Sequence, residues 1–224
     1  MCGERAEQTS GADAHDTRDD PAVVLDPDAI AAGADGLGIG DAPPGTYALV
    51  FELDADATFT VGALGAATFP AGAYAYVGSA FGSNGLGRVD RHRRVAAGDH
   101  DVTHWHVDYL GSHPETSLDA VVAAPHADVE CRLAAALTAA RTASDGASDH
   151  GGSASDGASG HGATAPAGSS DRGTATQSDR NGAAAAPLEG FGASDCDCRT
   201  HLALAPDART LRSAVVGALR ELVE

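Results

Sequence analysis

The alternation of apolar and polar positions divides the chain into regions with a regular apolar period and regions without one. Residues 42–140 and 188–224 contain recurring apolar runs, whereas residues 1–41 and 141–187 are rich in small and acidic residues. A segment with few large apolar side chains cannot bury enough surface to offset the entropy that ordering costs. We therefore predict a disordered acidic tail over 1–41. A single domain follows over 42–224, interrupted by a low-complexity, disordered insertion at about 141–187.

Within the domain, β-rich runs predict a sheet. Residues 46–53 (TYALVFEL) and 58–63 (TFTVGA) are separated by two aspartates, which predicts a hairpin. Residues 73–78 form a third run, rich in aromatic side chains. Two later strands are predicted at 118–123 and 199–204.

Apolar residues at helical spacing predict helices between these strands. The first covers 86–97 and ends at Gly98, the second covers 127–140, and the third begins after Asp207. The last helix carries an apolar stripe formed by Leu211, Val215, Leu219 and Leu222. Residues 105–110 form a short element of uncertain type. The order of elements predicts an α/β (α+β) domain: a small mixed, mainly antiparallel sheet flanked by helices.

Composition adds a strong acidic bias. The chain has 32 acidic and 14 basic residues, a net charge of −18, and no lysine. This balance is typical of a protein from a salt-loving cytoplasm, where net charge maintains solubility. An ordinary acidic protein is the alternative. Such a charge disfavours non-specific nucleic-acid binding at low salt, but molar salt screens it within roughly 3 Å. Local charge then determines whether nucleic acid can bind, and one dense cluster of basic residues lies at 88–94.

No apolar run approaches the length of about 18 residues that a membrane span needs, and residues 1–16 lack the apolar region of a secretory signal. We therefore expect a cytoplasmic protein.

Three groups of residues carry candidate chemistry. Tyr47 and Tyr76 open and close predicted strands and could face one cleft, where a phenol can orient a water. Arg88 and His92 lie four apart on a predicted helix and so share a face suited to a phosphoryl group. Glu130, near the start of a later helix, could bind Mg²⁺ with waters and substrate phosphate. Each group also has a purely structural explanation: half-buried strand aromatics, a solvated basic helix face, and a helix-dipole partner.

Together these groups resemble the GIY-YIG nuclease superfamily. The resemblance is closer to an archaeal branch, DUF123, a GIY-YIG-like domain sometimes fused to endonuclease III-type DNA-repair glycosylases. It covers residues 44–138 and 187–205 and rests on six motifs in one order: GTY, FPAGAYAYVGSA, RVDRH, HWHVDYL, ECRLA and FGASDCDCRTHL. Tyr47 and Tyr76 are 29 residues apart, which is longer than usual and indicates an inserted hairpin.

The resemblance implies a role for each matching residue. Tyr47 and Tyr76 would position the attacking water, Arg88 would stabilise the pentavalent phosphorus with the help of His92, and Glu130 would hold one Mg²⁺ or Mn²⁺ ion. The substrate-binding set expected around them is Gly78, Ser79, Arg91, Arg93, Arg94, His104, Trp105 and His106.

Trp105 has two interpretations. Flanked by His104 and His106, it could line a cleft and stack on a base, with Asp108 orienting a histidine. Alternatively it is a core residue whose polar neighbours satisfy backbone groups.

A possible structural zinc site combines Cys196, Cys198 and His201, spaced C-x-C-x2-H, with Cys131 as a fourth ligand from another element. Buried reduced cysteines, or a turn that needs small residues, are the alternatives.

Three functions remain open. The first is a metal-dependent endonuclease acting on DNA, with a role in DNA repair implied by the resemblance. The second is a non-catalytic nucleic-acid-binding module of the same fold, and the third is a metal-stabilised interaction domain. The presence of Tyr47, Arg88 and Glu130 together favours the endonuclease.

Overall fold

The computed structural model describes residues 20–34, 42–146 and 188–224. The strands are β1 Val23–Leu25, β2 Gly45–Leu53, β3 Ala57–Thr60, β4 Ala66–Phe69, β5 Gly72–Ser79, β6 Thr116–Pro125 and β7 Leu202–Ala205. The helices are α1 Pro27–Ala31, α2 Arg88–Ala96, α3 His106–Gly111, α4 Glu130–Gly146 and α5 Ala208–Val223.

Five of these strands form one sheet in the order β1-β6-β2-β5-β7, and every pairing in it is antiparallel. The central strand β2 is buried along its whole length except at Glu52. A strand covered on both faces requires a nearly continuous apolar run, which is the pattern of TYALVFEL. The predicted fold class, a mainly antiparallel sheet flanked by helices, is confirmed.

Successive side chains of β2 enter two separate cores, because neighbouring residues of a strand point to opposite faces. Tyr47, Leu49 and Phe51 pack in a core that includes Val89 of α2 and Leu110 of α3. The opposite face packs against apolar residues of α4 and α5. The face that carries Tyr47 is therefore the one that carries α2, with Arg88 and His92.

The predicted hairpin between residues 46–53 and 58–63 is wrong. Both edges of β2 are occupied, by β5 and β6, so β2 has no edge left for β3. Instead, β3 pairs with β4 in a separate two-stranded sheet. This small sheet is the inserted hairpin that the long Tyr47–Tyr76 spacing indicates.

Residues 20–34, inside the predicted tail, form regular structure instead. Val23–Leu25 pairs with β6 at the edge of the sheet, and Ile30 of α1 is buried. The Asp26 carboxylate caps α1 by accepting from the amides of Asp28 and Ala29. A short apolar triplet beside an unpaired strand edge is enough to order this stretch. The rest of the predicted tail, 1–19 and 35–41, lies outside the described residues.

Helix boundaries differ from the prediction by a few residues. Helix α4 continues through Gly146, past the predicted start of the insertion, and residues 147–187 lie outside the described part. The uncertain element at 105–110 is α3. The predicted cap of the last helix is confirmed, since the Asp207 carboxylate accepts from the Thr210 amide at 2.8 Å. Among the described helices, none is long and apolar enough to cross a membrane.

Candidate functional site

Strands β2 and β5 bring Tyr47 and Tyr76 together on one face of the sheet. Their ring centroids are 6.4 Å apart, and both side chains are buried. Tyr47 lies opposite Gly78 in the β2–β5 register. A Cβ atom at Gly78 would come within 2.5 Å of the Tyr47 ring and hydroxyl. The glycine therefore makes room for the phenol at this point of the sheet.

His92 connects Tyr47 to an aspartate of α3. The Tyr47 hydroxyl lies 3.2 Å from His92 Nε2, and His92 Nδ1 lies 2.8 Å from Asp108 Oδ1. When Nδ1 donates its hydrogen bond to the carboxylate, Nε2 is the nitrogen that can accept one from the phenol. All three residues are buried, so the chain Tyr47–His92–Asp108 is shielded from bulk water.

Asp108 is held as a carboxylate by a shell of donors. Arg91 makes two hydrogen bonds to it, at 2.9 and 3.2 Å, and the backbone amides of His104 and Trp105 donate to Oδ2. Burial by itself would raise the pKa of Asp108. The hydrogen bonds from His92, Arg91 and the two amides outweigh burial and hold that pKa well below its usual range.

Arg88 begins α2 and is partly exposed beside the tyrosines. Its NH1 donates to the Ser79 carbonyl at 2.6 Å, and its guanidinium carbon lies 5.6 Å from the centroid of the Trp105 ring. Trp105 is 49% exposed, so the interpretation of this residue as part of the core is wrong. The guanidinium and the indole together form a partly exposed cationic and aromatic surface.

Glu130 begins α4, and Thr46 fixes this end of the helix to β2. The Thr46 hydroxyl donates to the Ala127 carbonyl at 2.8 Å and accepts from the Val129 amide at 3.0 Å. Because Thr46 precedes Tyr47, this clamp places the start of α4 at the end of β2 that carries Tyr47.

The pKa of Tyr47 reflects its burial and the charged groups near it. Burial raises this pKa, the nearby Arg88 lowers it, and Glu130 raises it again, so that the net pKa is well above the usual value. The pKa of Tyr76 is raised in the same way, by burial and then by Tyr47 and Glu130. Both phenols therefore keep their protons at neutral pH. The five residues expected to be catalytic thus lie together.

The residues expected to bind substrate divide into two groups. Gly78 adjoins Tyr47, and Ser79 and Trp105 adjoin Arg88, whereas His104 and Arg94 are exposed and the Arg94 guanidinium donates to the Asp99 carbonyl at 3.4 Å. The others already have protein partners: Arg91 holds Asp108, Arg93 pairs with Asp90 at 2.9 Å, and the His106 Nδ1 accepts from the Gly192 amide at 3.0 Å. Burial also lowers the pKa of His106, in agreement with a neutral ring.

The predicted metal ligands Cys131, Cys196, Cys198 and His201 converge. Their ligand atoms all lie within 4.8 Å of one another, and the three cysteines are not disulfide-bonded. Three thiols and one imidazole are a donor set that suits a tetrahedral ion such as zinc. The Cys198 amide also donates to the Cys196 sulfur at 3.4 Å, a contact that stabilises a thiolate. This cluster could bind a metal ion such as zinc.

Comparison with protein families matches residues 46–166 to the model described as domain of unknown function DUF123. The match covers more than half of the chain. The chain belongs to the DUF123 family. No curated protein and no solved structure matches it.

The matched part of this DUF123 domain contains Tyr47, Tyr76, Arg88, His92 and Glu130, whereas Cys196, Cys198 and His201 follow it. Sequence reasoning missed Asp108 as a member of the site, although it noted that this residue could orient a histidine. An acid between Val107 and Tyr109 in an apolar stretch is a signal of a buried carboxylate with a partner. Which histidine it serves depends on the packing of α3 against α2, which the sequence does not show.

Proposed function

We propose that this chain is a metal-dependent endonuclease of the GIY-YIG type that hydrolyses phosphodiester bonds of DNA. The observation that carries the proposal is the Tyr47–His92–Asp108 chain, with Arg88 and Glu130 near enough to the phenol to shift its pKa. These residues come from β2, α2, α3 and α4, and nothing in the packing of a small sheet requires two charged groups of opposite sign beside a buried tyrosine.

The buried chain supplies a route for a proton. As a water attacks phosphorus, its proton passes to the Tyr47 oxygen while the phenolic proton passes to His92 Nε2, and the P–O bond to the leaving sugar oxygen breaks. That oxygen leaves as an alkoxide and takes its proton from solvent water. Asp108, 2.8 Å from Nδ1, stabilises the imidazolium that forms. Tyr76, whose ring lies 6.5 Å from the His92 ring, helps to position the water. The raised pKa of Tyr47 fits this role, because the hydroxyl is a donor and an acceptor only while it is protonated.

Arg88 meets the charge that develops on the phosphoryl oxygens. Its hydrogen bond to Ser79 and its contact with Trp105 hold the guanidinium in place before substrate arrives. A preorganised cation stabilises the transition state without the cost of reorganisation during the reaction.

Glu130 would hold one Mg²⁺ or Mn²⁺ ion. Its carboxylate is the kind of oxygen donor that these ions prefer, and its side chain is 21% exposed, which leaves room for waters and a phosphate oxygen. A bound cation supplies Lewis-acid stabilisation of the phosphate. We further propose that zinc occupies the Cys131, Cys196, Cys198 and His201 cluster and has a structural role.

The acidic, lysine-free composition supports a salt-loving archaeal source and a cytoplasmic location. At molar salt the net charge of −18 is screened, so that DNA contacts depend on local groups such as Arg88 and Arg94. A role in DNA repair follows from the resemblance to glycosylase-associated domains.

The test is a cleavage assay in molar KCl with branched, nicked and abasic DNA and with RNA. Cleavage should need Mg²⁺ or Mn²⁺. Glu130→Ala and Arg88→Ala should each lower the rate by about 10²-fold or more. The matched controls are Asp128→Asn, an exposed acid two residues before Glu130, and Arg209→Ala, an exposed arginine of α5. Both controls should cleave at the wild-type rate. Equal rates for Glu130→Ala and wild type would overturn the assignment.

A non-catalytic nucleic-acid-binding module is the second candidate. It is favoured by the burial of Tyr47, 1% exposed, beside a Trp105 that is 49% exposed under a guanidinium. Stacking of a base on Trp105 is worth about 1–3 kcal/mol. If no substrate is cut with either metal while Trp105→Ala weakens DNA binding by that amount, the binding module replaces the endonuclease.

A further inference from the structure

His201 lies between the cysteine cluster (Cys131, Cys196 and Cys198) and Glu130 and contacts both sides. Its Nε2 is 3.4 Å from the Cys196 sulfur, and its Nδ1 is 3.3 Å from Glu130 Oε1. The residue is 1% exposed. One imidazole thus has a metal-ligating group on one side and a proposed catalytic carboxylate on the other.

The backbone of His201 is fixed on two sides. Its amide donates to the Phe191 carbonyl at 2.7 Å, and its carbonyl accepts from the Val77 amide at 2.9 Å. Gly192 lets the loop approach closely, because a Cβ atom there would come within 2.6 Å of Tyr76 and 3.0 Å of the His201 Cβ. The imidazole therefore has little freedom to leave its position between Glu130 and the cysteines.

Helix α4 contributes both Cys131 of the cysteine cluster and the proposed catalytic carboxylate of Glu130. Glu130 and Cys131 are successive residues of its first turn, and successive helical residues point about 100° apart. Cys131 belongs to the cysteine cluster, while Glu130 contacts His201 and lies within electrostatic reach of Tyr47. A metal ion in the cluster would therefore fix the start of α4 and the His201 ring at the same time.

The surroundings of His201 Nδ1 indicate that this nitrogen is the donor in its contact with Glu130. Nδ1 is buried and has no well-aligned hydrogen-bond partner among the described residues, and the Glu130 carboxylate is 3.3 Å away. A neutral histidine that binds a metal through Nε2 carries its proton on Nδ1. Metal-binding histidines commonly donate this proton to a carboxylate, which orients both groups.

We propose that a metal ion bound by the cysteine cluster positions Glu130 through His201. His201 binds the ion with Nε2 and donates a hydrogen bond from Nδ1 to Glu130 Oε1. Glu130 Oε2 then remains for the proposed Mg²⁺ or Mn²⁺ ion. Glu130 then interacts with two metal ions. It accepts a hydrogen bond from His201, which is a ligand of the cluster ion, and it is itself a ligand of the proposed Mg²⁺ or Mn²⁺ ion. This assignment rests on the proposed function for its second half only, since the link from Glu130 to the cluster metal holds whether or not the protein cuts DNA.

The first experiment measures the link without any activity. Zinc affinity of the full chain is determined by competition with a chromophoric chelator, and the visible spectrum is recorded after Co²⁺ replaces zinc. Glu130→Ala should lower zinc affinity by about 10-fold or more and shift the Co²⁺ bands. Glu130→Gln should fall between Glu130→Ala and wild type, since an amide oxygen still accepts from Nδ1. Asp128→Asn should match wild type in both readouts.

The second experiment measures positioning. His201→Cys keeps four ligands for zinc but removes the donor to Glu130. Zinc-loaded His201→Cys should bind Mn²⁺ about 10-fold more weakly than zinc-loaded wild type in an electron paramagnetic resonance titration. Arg199→Ala, in the same loop, breaks only an exposed ion pair with Glu189 and should leave Mn²⁺ binding unchanged. If His201→Cys does not fold or load zinc, the Mn²⁺ affinities of zinc-loaded and zinc-free wild type decide the question, and equal affinities overturn the positioning role.

The outcomes separate this inference from the proposed function. A wild-type chain that binds no zinc, or equal zinc affinities and Co²⁺ spectra for Glu130→Ala and wild type, would overturn the link. A weakened zinc site in Glu130→Ala together with no Mn²⁺ binding and no cleavage by wild type would support the link and overturn the endonuclease. Equal Mn²⁺ binding by loaded His201→Cys and wild type would overturn the positioning role.

Discussion

Gly78 lies directly across from Tyr47 on the neighbouring strand, and the Tyr47 phenol fills the space that a side chain at position 78 would occupy. Since Tyr47 is buried and its hydroxyl contacts His92, it cannot move aside without disturbing the site. Gly78→Ala should therefore lower the free energy of unfolding by about 1–3 kcal/mol, the usual cost of overpacking. Urea unfolding in high KCl measures this change.

Gly217→Ala is the control for this substitution. A Cβ atom at Gly217, within α5, meets nothing within 4 Å. Alanine is favoured over glycine in a helix by about 0.8–1.0 kcal/mol, so this variant should be more stable than wild type. Loss of stability in both variants would show that the Tyr47 contact is not the cause.

Asp108→Asn should remove a pH-dependent part of the stability. The pKa of Asp108 in the folded state is below its unfolded value of about 3.9. Its stabilisation is thus fully present above about pH 4 and is lost as the pH falls toward the folded-state pKa. At neutral pH, Asp108→Asn should cost about 3–5 kcal/mol, because it leaves His92 and Arg91 without their buried anion.

Unfolding curves at pH 7, 5, 4 and 3 test the pH dependence. The difference between wild type and Asp108→Asn should be constant from pH 7 to 5 and should shrink below about pH 4. A difference that does not change with pH would mean that the ionisation of Asp108 does not contribute to the stability.

Tyr47→Phe separates the chemistry of the phenol from its packing. The variant keeps the ring and removes only the hydroxyl that contacts His92. Cleavage should fall by about 10²-fold or more, as expected when a proton-transfer group is lost. Initial rates on the best DNA substrate, at saturating Mn²⁺, measure this change.

Tyr74→Phe is the matched control, because its hydroxyl donates to the Pro70 carbonyl at 2.6 Å and is not part of the site. Its cleavage rate should equal that of wild type. An equal loss in both variants would place the effect in the stability of the sheet rather than in the reaction.

Removal of the cluster metal should destabilise the fold. A metal that binds the folded protein alone stabilises it by about 4 kcal/mol at 1,000 times its dissociation constant. Chelation, or Cys196→Ser, should therefore lower the melting temperature, and elemental analysis should find zinc in untreated protein. Cys2→Ser removes the cysteine that the sequence does not place among the predicted ligands and should melt as wild type does. Metal-free wild type with an unchanged melting temperature would contradict zinc binding.

The sequence by itself determined the elements that depend on local pattern. The continuous apolar run at 46–53 requires a strand covered on both faces, and Asp207 with the stripe that follows it requires a capped amphipathic helix. It also supplied the identities of the site residues, because phenol, guanidinium, carboxylate and thiol chemistry can be recognised from residue type and order. Tyr47, Arg88, Glu130 and Cys196 were identified in this way.

Only the tertiary structure decided which of these groups meet. Strand pairing is set by which edges are free, so the hairpin expected after β2 gives way to the pairing of β2 with β5 and β6, and Val23–Leu25 joins the sheet at β6. The contact of Asp108 with His92 and that of His201 with Glu130 join residues 16 and 71 positions apart. Such contacts depend on how helices and loops pack on the sheet, and no local pattern in the chain specifies them.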